Sequence, residues 1–228
     1  MARTCDSNMK LPSANVASIC WTILWLLCPI DLSAQVTTNC FAPPAGLMAW
    51  WTRDGDASDF AGTNNGVLMN GATATGSGLV GEAFGFDGLD SYVQLPNLVA
   101  GQSEGTVEFW FNVNTWNWTS GCCGLWLWSS TEYLPDSGSS LDGMALGTHP
   151  GSTTTGELMF GIFAGGNWQW AKSGVTPLTN QWYHVAGTWG SDGVWIYVNG
   201  LLAGVNLSYF GAAPSVVQYR PNRSTLGD

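Results

Sequence analysis

Two Trp-x-Trp pairs are the residues of this chain whose type and spacing best suit ligand binding. Trp116 and Trp118 form one pair, and Trp168 and Trp170 form the other, with Gln169 between them. Side chains two positions apart on a β-strand point to the same face, so each pair presents two indoles side by side. Sugar rings stack on such apolar platforms, while neighbouring amides bond their hydroxyl groups. We predict that these residues contact a carbohydrate; the alternative is that the rings only cover the sheet.

A second group of residues has the donors of a metal site. Asp54, Asp56 and Asp59 lie close together in a turn-rich stretch, and Asn64 and Asn65 follow. Carboxylate and carbonyl oxygens clustered in this way suit Ca²⁺. The sequence therefore predicts a structural Ca²⁺ held by the three aspartates. The alternative is a plain turn in which Asp and Asn side chains bond the backbone.

Both groups must be positioned by β-strands. The clearest strand signal is the segment 181–205, where alternating runs are separated by Gly190–Gly193 and by Asn199-Gly200. Asn-Gly between such runs is the strongest short-range hairpin signal, because a type I′ turn needs positive φ at both central residues. Other strand-like runs precede this segment: Leu47–Trp51, Val67–Met69, Ala83–Phe86, Ser91–Leu95, Gly105–Val113, Leu125–Ser129, Gly143–Gly147, Glu157–Ala164 and Asn167–Ala171. Short strands at this spacing predict an all-β fold, an antiparallel β-sandwich of the jelly-roll type.

The charge balance limits the classes of partner. The 228 residues include six Lys and Arg against sixteen Asp and Glu, which gives a net charge of −10. Binding to a phosphate backbone or to an anionic membrane surface has no electrostatic basis in such a chain. The sequence therefore excludes nucleic acid as an expected partner. An acidic chain with 14 Trp residues is compatible with neutral sugars or divalent cations.

Residues 1–34 have the pattern of a secretory signal peptide. Arg3 and Lys10 precede the apolar run Val16–Leu27, and small residues at Ser33 and Ala34 offer a cleavage site. The run is short for a membrane span, which needs roughly 20 apolar residues. We therefore predict a secreted or cell-surface protein with no stable membrane span after cleavage. An uncleaved anchor or a buried segment is the alternative.

Three cysteines remain after that cleavage. They are Cys40, Cys122 and Cys123, so at most one disulfide bond forms within a monomer. Cys40 can pair with either of the other two, or Cys122 and Cys123 can pair with each other. A single structural disulfide suits an exported protein.

Several motifs carry a family resemblance. They are Gly46–Trp51 with Asp54–Asp59 and Asn64–Gly66, then Phe86–Val93, then Thr106–Phe111, and finally Trp182–Ala186 with Tyr197–Gly200. In order and spacing they resemble LamG-like jelly-roll domains of the concanavalin A-like lectin/glucanase superfamily. The resemblance implies one domain over residues 47–228. The stretch 35–46 before it contains Pro43-Pro44, which indicates a short leader. It also implies one or two closing strands after Asp228, so we expect either a truncated reading frame or final strands that come from elsewhere. If these strands are missing, a sheet edge near Leu47–Trp51 is left unpaired.

The same resemblance bears on catalysis. Glucanases of this fold carry a Glu-x-Asp-x-Glu or Glu-x-Asp-x-x-Glu run, and this chain has none. Glu104 and Glu108 are the nearest acidic pair, and we expect both to face solvent. His184 is expected to make structural hydrogen bonds at the edge of the core, because it matches a structural His of the family.

These observations predict a non-catalytic secreted carbohydrate-binding or adhesion module, and not an enzyme. Two alternatives remain at this point. One is a glycan-active hydrolase with a diverged site. The other is an interaction or structural segment of a longer surface protein.

Overall fold

The computed structural model describes residues 43–52, 55–114, 125–133, 140–148, 156–164, 167–209, 213 and 224–226. The chain divides into two compact units, Met1–Gly46 and Leu47–Asp228. Every element given below lies in the second unit. The signal segment and the three cysteines Cys40, Cys122 and Cys123 fall outside the described residues. Their cleavage and pairing stay predictions.

The secondary structure of the described residues consists of short β-strands, and no α-helix occurs among these residues. Accordingly, none of these residues belongs to a helix that is long and apolar enough to cross a membrane. The strands are β1 Val67–Met69, β2 Thr73–Ser77, β3 Glu82–Gly85, β4 Tyr92–Leu95, β5 Gly105–Asn112, β6 Leu125–Tyr133, β7 Ser140–Thr148, β8 Leu158–Ala164, β9 Asn167–Lys172, β10 Trp182–Gly190, β11 Gly193–Val198, β12 Leu201–Asn206 and β13 Ser224–Leu226.

These strands form two main sheets. The larger has seven strands in the order β1-β4-β13-β6-β7-β8-β9, and the smaller has four in the order β12-β11-β10-β5. A separate ribbon pairs β2 with β3. All the strand pairings are antiparallel. The arrangement confirms the predicted all-β antiparallel β-sandwich.

The β10–β11–β12 meander forms as its turn residues predict. Asn199 has φ of 51° and Gly200 has φ of 79°, so both central residues of the β11–β12 turn adopt the left-handed conformation. The turn is also tied to β10, because the backbone N–H of His184 donates to Asn199 Oδ1 at 3.0 Å. The hairpin signal in the sequence therefore correctly predicted three strands of the smaller sheet.

The core lies between the two main sheets. Phe160 and Ile162 of β8 are fully buried, as are Val185 of β10 and Ile196 of β11. The Phe160 ring occupies the space where a side chain at Gly187 would begin. Glycine at that position therefore lets the ring reach the backbone of the facing sheet.

The predicted strand at Leu47–Trp51 was wrong. Within these described residues only Trp51 pairs, in an isolated bridge with Asp59. The Trp50 backbone N–H donates to the Asp59 carboxylate, and the Trp51 indole donates to the carbonyl of Asn64. Side-chain hydrogen bonds of this kind compete with a strand ladder for the same backbone. The segment Leu47–Trp51 is therefore a loop and does not form the sheet edge that was predicted there.

Candidate functional site

Trp168 and Trp170 project from β9 to one face of the larger sheet. β9 is an edge strand, and its register with β8 places Phe163 opposite Trp168 and Gly161 opposite Trp170. Directly opposed residues of an antiparallel pair share a face. Because Ile162 points into the core, alternation places both indoles on the outward face of the sheet.

The two indoles stack on each other. Their ring centroids lie 4.3 Å apart and their planes differ by 13°. Phe163 meets Trp168 edge-on, with centroids 5.4 Å apart and planes at 63°. Trp170 lies over Gly161, in the space a side chain there would occupy. Phe163, Trp168 and Trp170 form what we call the tryptophan stack, whose half-buried rings are oriented before any ligand arrives.

The other predicted sugar contacts are not in this stack. Gln169 lies opposite Ile162, which is fully buried, so its amide is directed to the core side of β9. Trp116 and Trp118 lie outside the described residues. The structure therefore brings Trp168 and Trp170 together and separates Gln169 from them. Contact of these residues with a sugar stays a prediction.

The strand that carries the stack is held by β12 of the smaller sheet. Asn206 Nδ2 donates to the carbonyl oxygen of Trp170 at 3.1 Å. On the same strand, Gly204 approaches the carbonyl of Lys172 so closely that a side chain there would overlap it. Asn206 Oδ1 also accepts the backbone N–H of Ser208 at 2.8 Å. These contacts keep edge strand β9 in place beneath the stacked rings.

Replacing Gly161 with Ala should disrupt the tryptophan stack. The added methyl group would overlap the Trp170 ring, so the indole would have to move. Overpacking of this kind costs about 1–3 kcal/mol. We expect urea denaturation to show a fall of that size in the free energy of unfolding.

A double-mutant cycle tests the physical reason for that loss. In a Trp170→Ala background the new methyl group meets no indole, so Gly161→Ala should cost much less. Equal costs in both backgrounds would contradict the packing of Trp170 on Gly161.

Asp59 is the centre of a hydrogen-bonded loop. Its Oδ1 accepts the backbone N–H of Trp50 at 2.8 Å and that of Ala61 at 2.9 Å. Its Oδ2 accepts the backbone N–H of Asn64 at 3.1 Å. The Asp59 backbone N–H in turn donates to Asn65 Oδ1 at 2.9 Å. Asp59 is only 6% exposed, and its carboxylate accepts these three backbone hydrogen bonds.

These hydrogen bonds set the charge state of Asp59. Burial raises the pKa of its carboxyl group, because burial disfavours the ionised form. The hydrogen bonds from Trp50, Asn64 and Ala61 together outweigh burial and lower the pKa below its ordinary value. The folded chain therefore favours an ionised Asp59.

The predicted calcium ligands are only partly described. Asp54 lies outside the described residues, and Asp56 is an exposed residue whose Oδ1 accepts the backbone N–H of Ser58 at 2.8 Å. The N–H groups around Asp59 direct their positive ends at its oxygens, so Asp59 fits a hydrogen-bond hub better than a cation ligand. In the described ranges, no three His, Cys, Asp or Glu side chains are grouped for a metal ion. The calcium site stays a prediction.

Sequence reasoning missed a second aromatic cluster, on the outward face of the smaller sheet. Glu108 and Trp110 of β5 lie there with His184 of β10, and we call the three the outer-sheet patch. The Trp110 and His184 rings are 5.2 Å apart, and His184 Nε2 lies 3.5 Å from Glu108 Oε2. The sequence did contain a signal for this cluster, because Phe109 and Phe111 alternate with Glu108 and Trp110 and so place the latter two on the opposite face of β5. Glu108 faces solvent, as predicted, with its side chain 64% exposed.

The comparison with protein families gives one match. The Laminin_G_3 model, described as Concanavalin A-like lectin/glucanases superfamily, matches residues 86–224. That range is more than half of the chain and includes β4, most of the larger sheet and all of the smaller sheet. No curated protein matches the sequence.

The comparison with solved structures finds matches at low sequence identity. Domain 4 of AbnA, a GH43 extracellular arabinanase from Geobacillus stearothermophilus solved with arabinotriose, is 18% identical, with 75% of this chain and 83% of that chain covered and a TM-score of 0.52. Carbohydrate-binding module CBM66 from Bacillus subtilis is 16% identical, with 71% and 90% covered and a TM-score of 0.37. An S-layer domain-containing protein from Clostridium thermocellum is 28% identical, with 71% and 73% covered and a TM-score of 0.33. The first of these supports the jelly-roll fold.

Proposed function

Because the chain belongs to the concanavalin A-like lectin/glucanases superfamily, we propose that it is a non-catalytic carbohydrate-binding or adhesion module that acts outside the cell. The tryptophan stack is the observation that carries this proposal. Trp168 and Trp170 are parallel, partly exposed and fixed by Phe163 and Gly161. Rigid indoles on a sheet surface offer the apolar face that a sugar ring needs, at a low cost of ordering.

The surroundings of Glu108 support binding without catalysis. A retaining glycosidase needs a second carboxylate at roughly 5–5.5 Å from the first. Glu108 lies opposite Ala186 on β10, and its neighbours on the same face of β5 are Thr106 and Trp110. None of these side chains can act as the partner acid. His184, the ionisable neighbour of Glu108, is the group that lies beside its carboxylate.

One fold neighbour guides the choice of the first probe ligands. The AbnA domain was solved with arabinotriose and belongs to an extracellular enzyme. At 18% identity this likeness shows the fold alone. We therefore choose neutral oligosaccharides as the first probes. The proposed location outside the cell rests on the signal peptide predicted at residues 1–34.

Removing the stack should weaken carbohydrate binding. We expect the Trp168→Ala/Trp170→Ala variant to lose at least about tenfold in affinity, since each tenfold step corresponds to only about 1.4 kcal/mol of lost stacking. Affinity electrophoresis in gels that contain arabinan, xylan, levan or cellulose derivatives would find the ligand class. Isothermal titration with the matching trisaccharide would measure the loss.

A control variant tests whether the loss of affinity is specific to the tryptophan stack. Phe60→Ala removes an aromatic ring that is 57% exposed and outside the main sheets, so it should leave affinity unchanged. Retention of full affinity with unchanged stoichiometry in the double Trp variant would reject the stack as the site. Release of reducing sugar by the wild type, abolished by Glu108→Gln, would establish a hydrolase instead.

A further inference from the structure

The outer-sheet patch contains an indole that is both exposed and held in position. Trp110 is 41% exposed on β5. It pairs across the strands with His184, whose ring lies 5.2 Å away at an angle of 53° and is 22% exposed. The more buried imidazole supports the indole on one side. A ligand that stacks on Trp110 would therefore order little of the protein that is not already ordered.

Polar groups stand beside this indole within the span of one small ligand. Glu108 and Trp110 are two positions apart on the same strand face, which separates them by roughly 6.6–6.8 Å. His184 Nε2 lies 3.5 Å from Glu108 Oε2, farther than the roughly 2.7–3.2 Å of a good N–H···O hydrogen bond. A hydroxyl group donates and accepts at once. It can accept from the imidazole N–H and donate to the carboxylate, and so satisfy both groups.

We propose that the outer-sheet patch is a second sugar-binding site, on the opposite sheet from the tryptophan stack. The proposal rests on the proposed function and adds a location and a ligand chemistry to it. The apolar face of one neutral sugar residue stacks on Trp110, and one of its hydroxyl groups bridges Glu108 and His184.

A sugar suits this patch better than a protein partner. An apolar protein surface laid on Trp110 would cover Glu108 and His184 without replacing their hydrogen bonds to water, and buried polar groups left unpaired are costly. Sites on opposite sheets would let one module contact two chains of a polysaccharide, which raises apparent affinity by linkage.

Isothermal titration with neutral trisaccharides tests the second site through its stoichiometry. The probes are arabinotriose, xylotriose, cellotriose and maltotriose. We expect the wild type to bind two molecules, and Trp110→Ala and Trp168→Ala/Trp170→Ala to bind one each. Glu108→Gln should weaken the remaining patch site roughly tenfold in the second background, as expected for the loss of a charged acceptor.

Leu202→Ala is the matched control. Leu202 is 58% exposed on the same face, but the register places two strands between it and Glu108. It should leave both sites intact. Thermal melting of each variant shows that the fold is kept, and Glu108→Gln changes only an exposed side chain.

The outcomes separate this proposal from the one on which it rests. One bound sugar in the wild type, lost with Trp168 and Trp170 but unchanged in Trp110→Ala, overturns the second site and keeps the proposed function. No binding of any trisaccharide overturns both. Self-association in sedimentation that Trp110→Ala abolishes, without any sugar bound at the patch, would make this face a protein-docking surface and would also overturn the proposal.

Discussion

Phe160→Ala should lower the free energy of unfolding by about 3–5 kcal/mol, the usual cost of emptying a buried Phe position. Phe160 is fully buried on β8 and fills the space above Gly187 of the facing sheet. Its ring also lies 6.4 Å from the Trp189 ring. The change removes contacts between the two main sheets. Since small domains are stable by only about 5–15 kcal/mol, urea denaturation would show a large loss.

The matched control is the same substitution at an exposed ring. Phe60→Ala removes a side chain that is 57% exposed and whose ring contact is with Trp50 at 5.4 Å. It should cost only about 1 kcal/mol, the size of one aromatic pair. If Phe160→Ala cost no more than Phe60→Ala, the packing of Phe160 across the sandwich would be disproved.

Local patterns predicted the strands of the smaller sheet well. The run 105–113 became β5, and the alternation around Asn199-Gly200 became β10, β11 and β12. Each of these strands has one face in the core, so apolar residues must alternate along it. The turn residues then fix the register, because Asn and Gly tolerate positive φ.

Two strands escaped prediction for physical reasons. β2 has the sequence TATGS, which lacks apolar alternation, and it pairs only with β3 in a two-stranded ribbon. β13 has three residues, and its place between β4 and β6 depends on pairing with residues about 100 or more positions away. Neither strand has a local signal in the sequence. Closing strands beyond Asp228 stay a prediction.

The candidate sites, like the strands, could be predicted only in part from the sequence. Alternation predicted that Trp168 and Trp170 share a face, and the stacked rings confirm it. It could not predict that Trp170 lies over Gly161, because that contact depends on the β8–β9 register. The outer-sheet patch was missed although its residues alternate clearly, because exposure of Trp110 depends on which sheet face is left open. Both the tryptophan stack and the outer-sheet patch therefore depend on side-chain positions that residue types alone do not give.

Asp59→Ala should cost at least about 3 kcal/mol, since three backbone N–H groups lose a buried acceptor and each unsatisfied group costs about 1–3 kcal/mol. The groups belong to Trp50, Ala61 and Asn64, and they link both ends of the loop. For a domain of this size the melting temperature should fall by roughly 6–12 °C. Asp56→Ala is the control, because Asp56 is exposed and its hydrogen bonds come from the nearby Ser58, so it should change the melting temperature little.

The stabilising effect of Asp59 should depend on pH. Its pKa is lowered on folding from an ordinary value of 3.8, so the folded state prefers the ionised form. Stability from this preference is fully present above pH 3.8 and is lost as pH falls through the lower folded pKa. The melting difference between wild type and Asp59→Ala should therefore be constant near neutrality and shrink below about pH 4.

Calcium provides the contrasting result for the same pair of proteins. A hydrogen-bond hub stabilises the loop without metal, so the wild type should keep its advantage over Asp59→Ala in EDTA. A ligand role would instead make the advantage depend on Ca²⁺, because an ion that binds only the folded state raises its stability by mass action. A melting difference that vanishes in EDTA and returns with Ca²⁺ would assign Asp59 to a metal site and would reject the hub.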